Sequence, residues 1–270
     1  MKQGSKQLGK AFLGLALGLV WLIPFYLMVT NSFKTKQEIF TNPLKFPEAF
    51  TFENYPEAFR QLDFIRTLAN SLLITVSSVI VIVIFSAMAA YALERIKSKF
   101  STITFMVFVA AMLVPFQSVM IPLVALFGKA QMLNQIGIIF MYLGFGGSMS
   151  IFLYHGAMKS IPRALDEAAI IDGASRWQVF WKVIFPMLKP TTVTVAVLNT
   201  MWIWNDYLLP SLVINSPTTQ TIPLKMFFFF GQYTKQWHLA LAGLVIAILP
   251  VIIFYFFMQK QIIKGVADGA

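Results

Sequence analysis

The sequence contains no cysteine and only two histidines among its 270 residues. Without thiols, the chain cannot form disulfides, iron–sulfur clusters or thiolate zinc sites of its own. Charge is also scarce, because charged residues make up 12% of the chain whereas hydrophobic residues make up 58%. That charged share is about half of what a soluble globular domain carries. The composition therefore predicts a membrane protein.

Six apolar runs are long enough to cross a bilayer as helices. They are residues 11–33, 72–93, 100–128, 130–158, 190–212 and 236–259, and Asp206 in the fifth run is their one acidic residue. A bilayer core offers no water to unpaired backbone groups, and the runs lack the period-two alternation of a barrel, so helices are favoured. We predict an all-α polytopic fold with one transmembrane domain over residues 1–270. The first run follows basic residues, but it is too long for a signal peptide and lacks a small-x-small cleavage site, so we expect it to be retained.

Basic residues concentrate before the first run, between the second and third, between the fourth and fifth, and after the sixth. By the positive-inside rule, both termini are then cytoplasmic. Residues 31–66 are predicted to form an extracytoplasmic loop. Residues 159–186 are predicted to form a cytoplasmic loop, which we call the elbow loop. The net charge of +10 is thus attributed to membrane orientation rather than to nucleic-acid binding.

Prolines and small residues predict where the helices bend and where they pack closely. Prolines lie within the runs at positions 24, 115, 122, 210 and 250. Each removes one backbone hydrogen bond and is expected to kink its helix. The kinks either shape the packing of the helices or leave free carbonyls that line a water-filled path. The second run carries a face of small residues, made of Ser86, Ala87, Ala89, Ala90 and Ala92. Such a face predicts close approach of another helix.

The stretch "EAAIIDGASRWQVFWKVIFP", Glu167 to Pro186, predicts two short helices joined by an elbow. Asp166 and Glu167 suit the first turn of a helix that follows Pro162. That helix should end at Gly173, which can adopt the left-handed conformation. Ser175 and Gln178 have the spacing of a capping box, so a second helix should begin there.

The second helix is predicted to carry one apolar face made of Trp177, Phe180, Trp181 and Ile184, and to end at Pro186. Glu167 and Asp172 then offer carboxylates to basic groups. Two interpretations remain open from the residues alone. The elbow loop is either a docking surface for a cytoplasmic protein or an amphipathic loop on lipid headgroups.

Asp206 is the costliest residue within the predicted spans. One interpretation places it in a wet translocation path with Trp202, Asn205 and Tyr207. The other is structural: Asn205 and Asp206 satisfy backbone groups freed by Pro210, or pair with another subunit.

A family resemblance extends over nearly the whole chain. The run Glu167, Ala168, Ala169, Asp172, Gly173, Ala174, with Phe180 and Pro186 after it, resembles the EAA loop of permease subunits of bacterial binding-protein-dependent ABC importers. Other stretches resemble the carbohydrate branch, maltose type: Asn70-Ser71, Ala89 to Leu93, "LVPFQSVMIPL" from Leu113, "WNDYLLPSL" from Trp204 and "TIPL" from Thr221.

This resemblance implies a permease subunit of a sugar importer with the type I fold in a bacterial cytoplasmic membrane. The implied partners are a second homologous permease subunit, two cytoplasmic ATPase subunits and an extracytoplasmic sugar-binding protein. The residues implied to couple to the ATPase are Glu167, Ala168, Ala169, Asp172, Gly173, Ala174 and Phe180. Packing is the preferred interpretation of the small-residue face of the second run, and a contact with the second permease subunit is the other.

The chain carries no G-x-x-x-x-G-K-[ST] phosphate loop. ATP and Mg²⁺ are therefore expected on the partner ATPase, with no cofactor in this chain. A membrane-embedded enzyme and a self-sufficient secondary transporter remain alternatives. Both normally place several ionisable residues at membrane depth, and the predicted spans offer few.

Overall fold

The computed structural model describes residues 2–231 and 235–267, which are predominantly helical. The α-helices in chain order are α1 (Lys2–Ser32), α2 (Lys36–Thr41), α3 (Asn54–Gln61), α4 (Phe64–Arg95), α5 (Lys99–Ala111), α6 (Phe116–Lys129), α7 (Gln135–Met158), α8 (Ala164–Ile171), α9 (Arg176–Val179), α10 (Phe185–Met187), α11 (Lys189–Asn205), α12 (Leu208–Val213), α13 (Ile222–Met226) and α14 (Trp237–Ala267). A π-helix at Phe180–Ile184 joins α9 to α10. The predicted all-α fold is confirmed.

Within the described part of the chain, α1, α4, α7 and α14 are each long and apolar enough to cross a membrane. Two bent pairs also pass this test when each is taken as one span: α5 with α6, bent by 106°, and Arg176–Met187 with α11, bent by 76°. The number of candidate spans is therefore four, or six if each bent pair counts once. The chain is a multi-pass membrane protein.

The third predicted span is not one continuous helix. Helix α5 ends at Ala111, and α6 begins at Phe116 after Pro115, whose backbone is extended with φ −68° and ψ 139°. A proline disfavours helical conformation in the residue before it, which explains a break rather than a kink. Pro24, Pro122 and Pro250 lie inside α1, α6 and α14 without interrupting them.

The described chain divides into two compact units. The first comprises Met1–Phe64 and Lys225–Ile253. Within it, the loop after α1 is organised around the buried ammonium group of Lys34. Its Nζ donates to Asn31 Oδ1 at 3.0 Å and to the carbonyl oxygens of Asn42 at 2.8 Å and Lys45 at 2.6 Å. The loop therefore wraps around a single cation.

The second unit comprises Ile65–Leu224 and Phe254–Ala270. Within it α7 packs against α5, α11 and α12. Gly146 marks a close approach of α7 to α11 and α4, because a Cβ there would meet the Asn199 amide oxygen and Ile82. Asn199 in turn donates to Ser150 Oγ at 3.1 Å and to Val195 O at 2.8 Å. A buried polar contact thus fills the space that a side chain at position 146 would need.

The small-residue face of α4 packs inside this second unit. Ser86, Ala87 and Ala90 are buried within the chain. A Cβ built on Gly147 of α7 would lie 3.9 Å from Ser86 Oγ, so small residues on both helices permit this approach. The prediction of close helix contact holds, but the contact forms within this chain. For Ser86, Ala87 and Ala90 the preferred interpretation, packing, is confirmed, and the alternative of a contact with a second subunit is wrong.

Candidate functional site

The elbow loop has the local geometry that its sequence predicts. Helix α8 carries Asp166 and Glu167 in its first turn. Gly173 follows with φ +85°, the left-handed conformation expected at the elbow. Ser175 then closes a capping box: its N–H donates to Gln178 Oε1 at 2.8 Å, and its hydroxyl accepts from Gln178 N at 3.3 Å. The two helices and the turn between them are thus specified by neighbouring residues.

The apolar face predicted for the second helix is only partly correct. Phe180 is 3% exposed and Ile184 is fully buried, but Trp177 is 59% exposed. Phe180 contacts the ring of Tyr91 in α4, with 5.4 Å between the ring centroids. Phe180 therefore supports the elbow loop from inside the chain, whereas Trp177 lies on its surface.

Pro186 does not end the second helix, because it lies inside α10, which runs from Phe185 to Met187. The helical direction changes two residues after Pro186, at Leu188, where the 76° bend leads into α11. Pro186 lies two residues after the end of the π-helix, and it removes one backbone hydrogen bond without ending the helical run.

Asp166 holds the elbow loop against the end of α4. Its Oδ2 lies 2.8 Å from Arg95 Nη2, and both side chains are nearly buried, with 11% and 13% exposed. Its Oδ1 accepts hydrogen bonds from the Tyr91 hydroxyl at 2.8 Å and from Arg95 Nε at 3.2 Å. Arg95 also donates to the Ile161 carbonyl oxygen at 3.3 Å. We call Tyr91, Arg95, Ile161 and Asp166 the anchor cluster.

This role of Asp166 was missed from the sequence. Two consecutive carboxylates in one helical turn point about 100° apart, since a helix has 3.6 residues per turn. Asp166 is buried while Glu167 is exposed. A carboxylate immediately before the Glu-Ala-Ala run was the available signal that one of the two points inward. The partner across the chain was not available from the sequence.

Glu167 and Asp172 are both exposed, as are Ala168 and Gly173, whereas Ala169 and Ala174 are half-buried. The elbow loop therefore presents two carboxylates beside small residues, where a partner can approach the backbone closely. Ile171, at the end of α8, is also exposed, at 85%. This combination of charge, small residues and one large apolar side chain is suited to contact with a protein.

Asp206 interrupts the fifth predicted span. Helix α11 ends at Asn205, Asp206 is extended, and α12 begins at Leu208. The carboxylate accepts the Leu208 backbone N–H on Oδ1 at 2.9 Å and the Tyr142 hydroxyl on Oδ2 at 2.9 Å. Asp206 therefore satisfies a backbone donor that the helix break exposes and ties the break to α7.

The other predicted path residues are only partly brought together with Asp206. The Trp202 ring meets the Tyr142 ring edge to face, with 5.3 Å between centroids. Asn205 is exposed and donates to the Met201 carbonyl at 2.7 Å, while Tyr207 is half-buried. Tyr142 was missed from the sequence, because a tyrosine in an apolar run carries no signal of its distant partner.

We expect Asp206→Asn to preserve more function than Asp206→Leu. An amide can still accept from Leu208 N and donate to the Tyr142 oxygen, whereas leucine strands both groups at a cost of about 1–3 kcal/mol. The measurement is sugar uptake together with the apparent melting temperature of the purified protein. Tyr142→Phe is the matched variant and should reproduce part of the leucine effect. Equal loss of uptake in the Asn and Leu variants would show instead that the charge itself is required.

The chain belongs to the family of binding-protein-dependent transport system inner membrane components, whose model matches residues 82–268. It is 57% identical over 259 residues to the probable starch degradation products transport system permease protein AmyC of Thermoanaerobacterium thermosulfurigenes, covering 96% of this chain and 94% of that protein. It is 37% identical to the multiple sugar-binding transport system permease protein MsmG of Streptococcus mutans, covering 94% and 92%.

A solved structure shares the fold. It is a bacterial ABC transporter involved in the import of the acidic polysaccharide alginate, with a TM-score of 0.76 and 24% identity, covering 95% of this chain and 97% of that one. Together with the relatives, it confirms the predicted type I importer permease fold. The chain is a permease subunit of the carbohydrate ABC importer class, and such a subunit works with other transporter components.

Proposed function

We propose that this chain forms half of the translocation path of an ATP-driven sugar importer and receives the motion of an ATPase through its elbow loop. The observation that carries the proposal is the elbow loop itself, which exposes Glu167 and Asp172 while Asp166 ties it to α4. A surface that receives force must be both accessible and rigidly connected to the helices that move. The elbow loop meets both requirements.

The remaining subunits follow from the family and from what the sequence lacks. The partners are a second homologous permease subunit, an extracytoplasmic sugar-binding protein and two cytoplasmic ATPase subunits, which bind ATP and Mg²⁺. This chain is then a transport subunit rather than an enzyme. Both termini and the elbow loop are cytoplasmic, and residues 31–66 are extracytoplasmic, in line with the distribution of lysine and arginine.

The sugar class we propose is short oligosaccharides released from starch. The support is the 57% identity to a permease named for starch degradation products. The test is uptake of labelled maltotriose and of labelled raffinose by a strain that lacks this gene, with and without the gene restored. Loss of maltotriose uptake alone is expected. Loss of raffinose uptake alone would contradict the proposed sugar class while leaving the transport function intact.

The docking role of the elbow predicts that Gly173→Val uncouples the ATPase. A β-branched residue at φ +85° carries strain of about 1 kcal/mol or more, or else it bends the elbow. Glu167→Lys should weaken docking separately, by reversing an exposed charge. The measurements are ATPase retained on purification and sugar-stimulated ATP hydrolysis in liposomes, both of which should fall.

Gly156→Val is the matched control, because Gly156 is an exposed helical glycine in α7 whose added Cβ would meet no atom within 4 Å. It should retain the ATPase. If Gly173→Val and Glu167→Lys also hydrolyse ATP in step with transport as the parent does, the elbow loop is an interfacial loop and the docking proposal is wrong.

A further inference from the structure

A cleft of about 530 Å³ lies where α4 ends, α5 begins and α7 ends. Its lining residues come from two stretches, Leu93 to Met106 and His155 to Lys159. The turn between α4 and α5 forms one side, and the last turn of α7 forms the other. The cleft is distinct from the exposed surface of the elbow loop and from the surroundings of Asp206.

The cleft carries an excess of positive charge. Lys97, Lys99 and Lys159 line it and are exposed. Within the described part of the chain, no hydrogen bond or ion pair engages their ammonium groups. The carboxylate in the lining, Glu94, lies 3.3 Å from His155 Nε2. Three ammonium groups are therefore left to meet an anion.

The hydroxyl groups in the cleft are already engaged with backbone atoms. Ser98 accepts from Ser101 N at 3.1 Å and caps α5. Ser101 donates to the Leu93 carbonyl at 2.5 Å, and Thr102 donates to the Ser98 carbonyl at 3.2 Å. These bonds hold the turn in shape without using the lysines. The turn is thus a formed structure on which the lysines are displayed.

The wall of the cleft continues into an apolar surface along α5. Ile96, in the turn before α5, and Met106 of α5 line the cleft and are exposed. Phe100 and Ile103 extend the exposed apolar surface along α5. Phe105 closes the inner wall by stacking on His155, with 3.9 Å between ring centroids. Because α5 belongs to a candidate membrane span, this surface begins at the polar end of a membrane helix.

We propose that the cleft binds the phosphodiester headgroup of an anionic phospholipid, with its acyl chains along the exposed face of α5. Lysines at the end of a membrane helix reach the headgroup layer while their stems cover apolar surface. A basic pocket between membrane helices is suited to an anionic headgroup. A small inorganic anion would leave the apolar wall unused. A phospholipid fits both halves of the site.

The occupied cleft would brace the turn that supports the elbow loop. The carbonyl oxygen of Glu94, a cleft residue, accepts from Arg163 Nη2 at 2.6 Å, and Arg163 immediately precedes α8. A lipid in the cleft and the elbow loop would therefore both contact the turn after α4, from opposite sides. The lipid site itself does not depend on the proposed transport function.

The test is a lipid titration of the transporter complex purified with this chain, read by native mass spectrometry. Short-chain phosphatidylglycerol is compared with phosphatidylcholine of the same chain length. We expect saturable binding of phosphatidylglycerol only. Replacing Lys97, Lys99 and Lys159 with glutamine should weaken it by roughly fivefold for each lysine. Lys129→Gln and Lys182→Gln, which change exposed lysines outside the cleft, should leave the affinity unchanged.

Several outcomes would overturn the proposal. Equal binding of phosphatidylcholine would show that charge is not recognised. Complete displacement of the lipid by millimolar inorganic phosphate would indicate a small-anion site. Equal affinity in the cleft and control variants would place the lipid elsewhere, and loss of another subunit from the glutamine variants would show that a protein covers the cleft. The melting temperature in phosphatidylcholine alone checks that the variants are folded.

Discussion

Asp166→Ala is expected to lower the apparent melting temperature of the purified protein by about 6–10 °C. The substitution leaves the Arg95 guanidinium nearly buried without its carboxylate, and the Tyr91 hydroxyl loses its acceptor. Removing one partner of a buried ion pair costs about 3–5 kcal/mol, and each kcal/mol corresponds to roughly 2–4 °C in a protein of this size. We take the lower part of the resulting range of melting-temperature shifts, because both side chains retain some exposure.

The matched control is Asp172→Asn, which changes an exposed carboxylate of the same loop. Its melting temperature should equal that of the parent. The double variant Asp166→Ala with Arg95→Ala should be more stable than the sum of the single changes predicts, because it removes both charges together. Strictly additive shifts would show that the two residues do not interact.

A merely structural anchor would change stability alone, so a second measurement separates positioning from folding. Arg95→Lys keeps the positive charge but removes the forked contacts to Asp166 and the Ile161 carbonyl. In liposomes, this variant should consume more ATP per sugar transported than the parent, because the elbow loop then moves with less connection to α4. If the ATP consumed per sugar is the same as in the parent, the anchor cluster contributes to stability only.

Lys34→Met is expected to disorganise the loop between α1 and α3. Methionine has nearly the shape of lysine without its ammonium, so the substitution strands Asn31 Oδ1 and the backbone carbonyls of Asn42 and Lys45. Asn31 Oδ1 is buried and the two carbonyl oxygens are partly buried, so each stranded acceptor costs up to about 1–3 kcal/mol and the total approaches that of a broken buried ion pair. Limited proteolysis of residues 34–53 and the melting temperature measure the effect.

Lys36→Met is a close control, because Lys36 is an exposed lysine two residues further along. It should resist protease as the parent does. Lys34→Arg should not restore the parent's behaviour, since a planar guanidinium cannot occupy the position of a compact ammonium within three acceptors. If Lys34→Met is digested no faster than Lys36→Met, the buried ammonium does not organise this loop.

The predictions that succeeded depend on neighbouring residues. The elbow at Gly173 and the capping box of Ser175 with Gln178 involve atoms at most three residues apart, so both can be predicted from the sequence. The break after Ala111 was only half-predicted. Pro115 was expected to kink a helix, and the observed separation of α5 from α6 depends on how each half packs.

The pairings that the sequence analysis missed join distant residues. Asp166 meets Arg95 across 71 positions, and Asp206 meets Tyr142 across 64. A carboxylate in an apolar chain indicates that a partner is required, because an unpaired buried charge is too costly, but it does not indicate which donor supplies it. The same limit applies to Ser86, Ala87 and Ala90, whose small size predicted a close neighbour but not that the neighbour belongs to this chain.

The amino-acid sequence by itself determined that this protein is helical and embedded in a membrane, that its elbow loop turns at Gly173, and that it resembles sugar-importer permeases. Each of these follows from composition, from runs of apolar residues or from bonds within one helical turn. Only the tertiary structure decided which of two adjacent carboxylates anchors the loop and which faces outward. It also decided that the Lys34 ammonium is buried and donates to backbone carbonyl oxygens, and that three lysines line one cleft. These arrangements depend on long-range packing, which brings together groups that local propensity leaves independent.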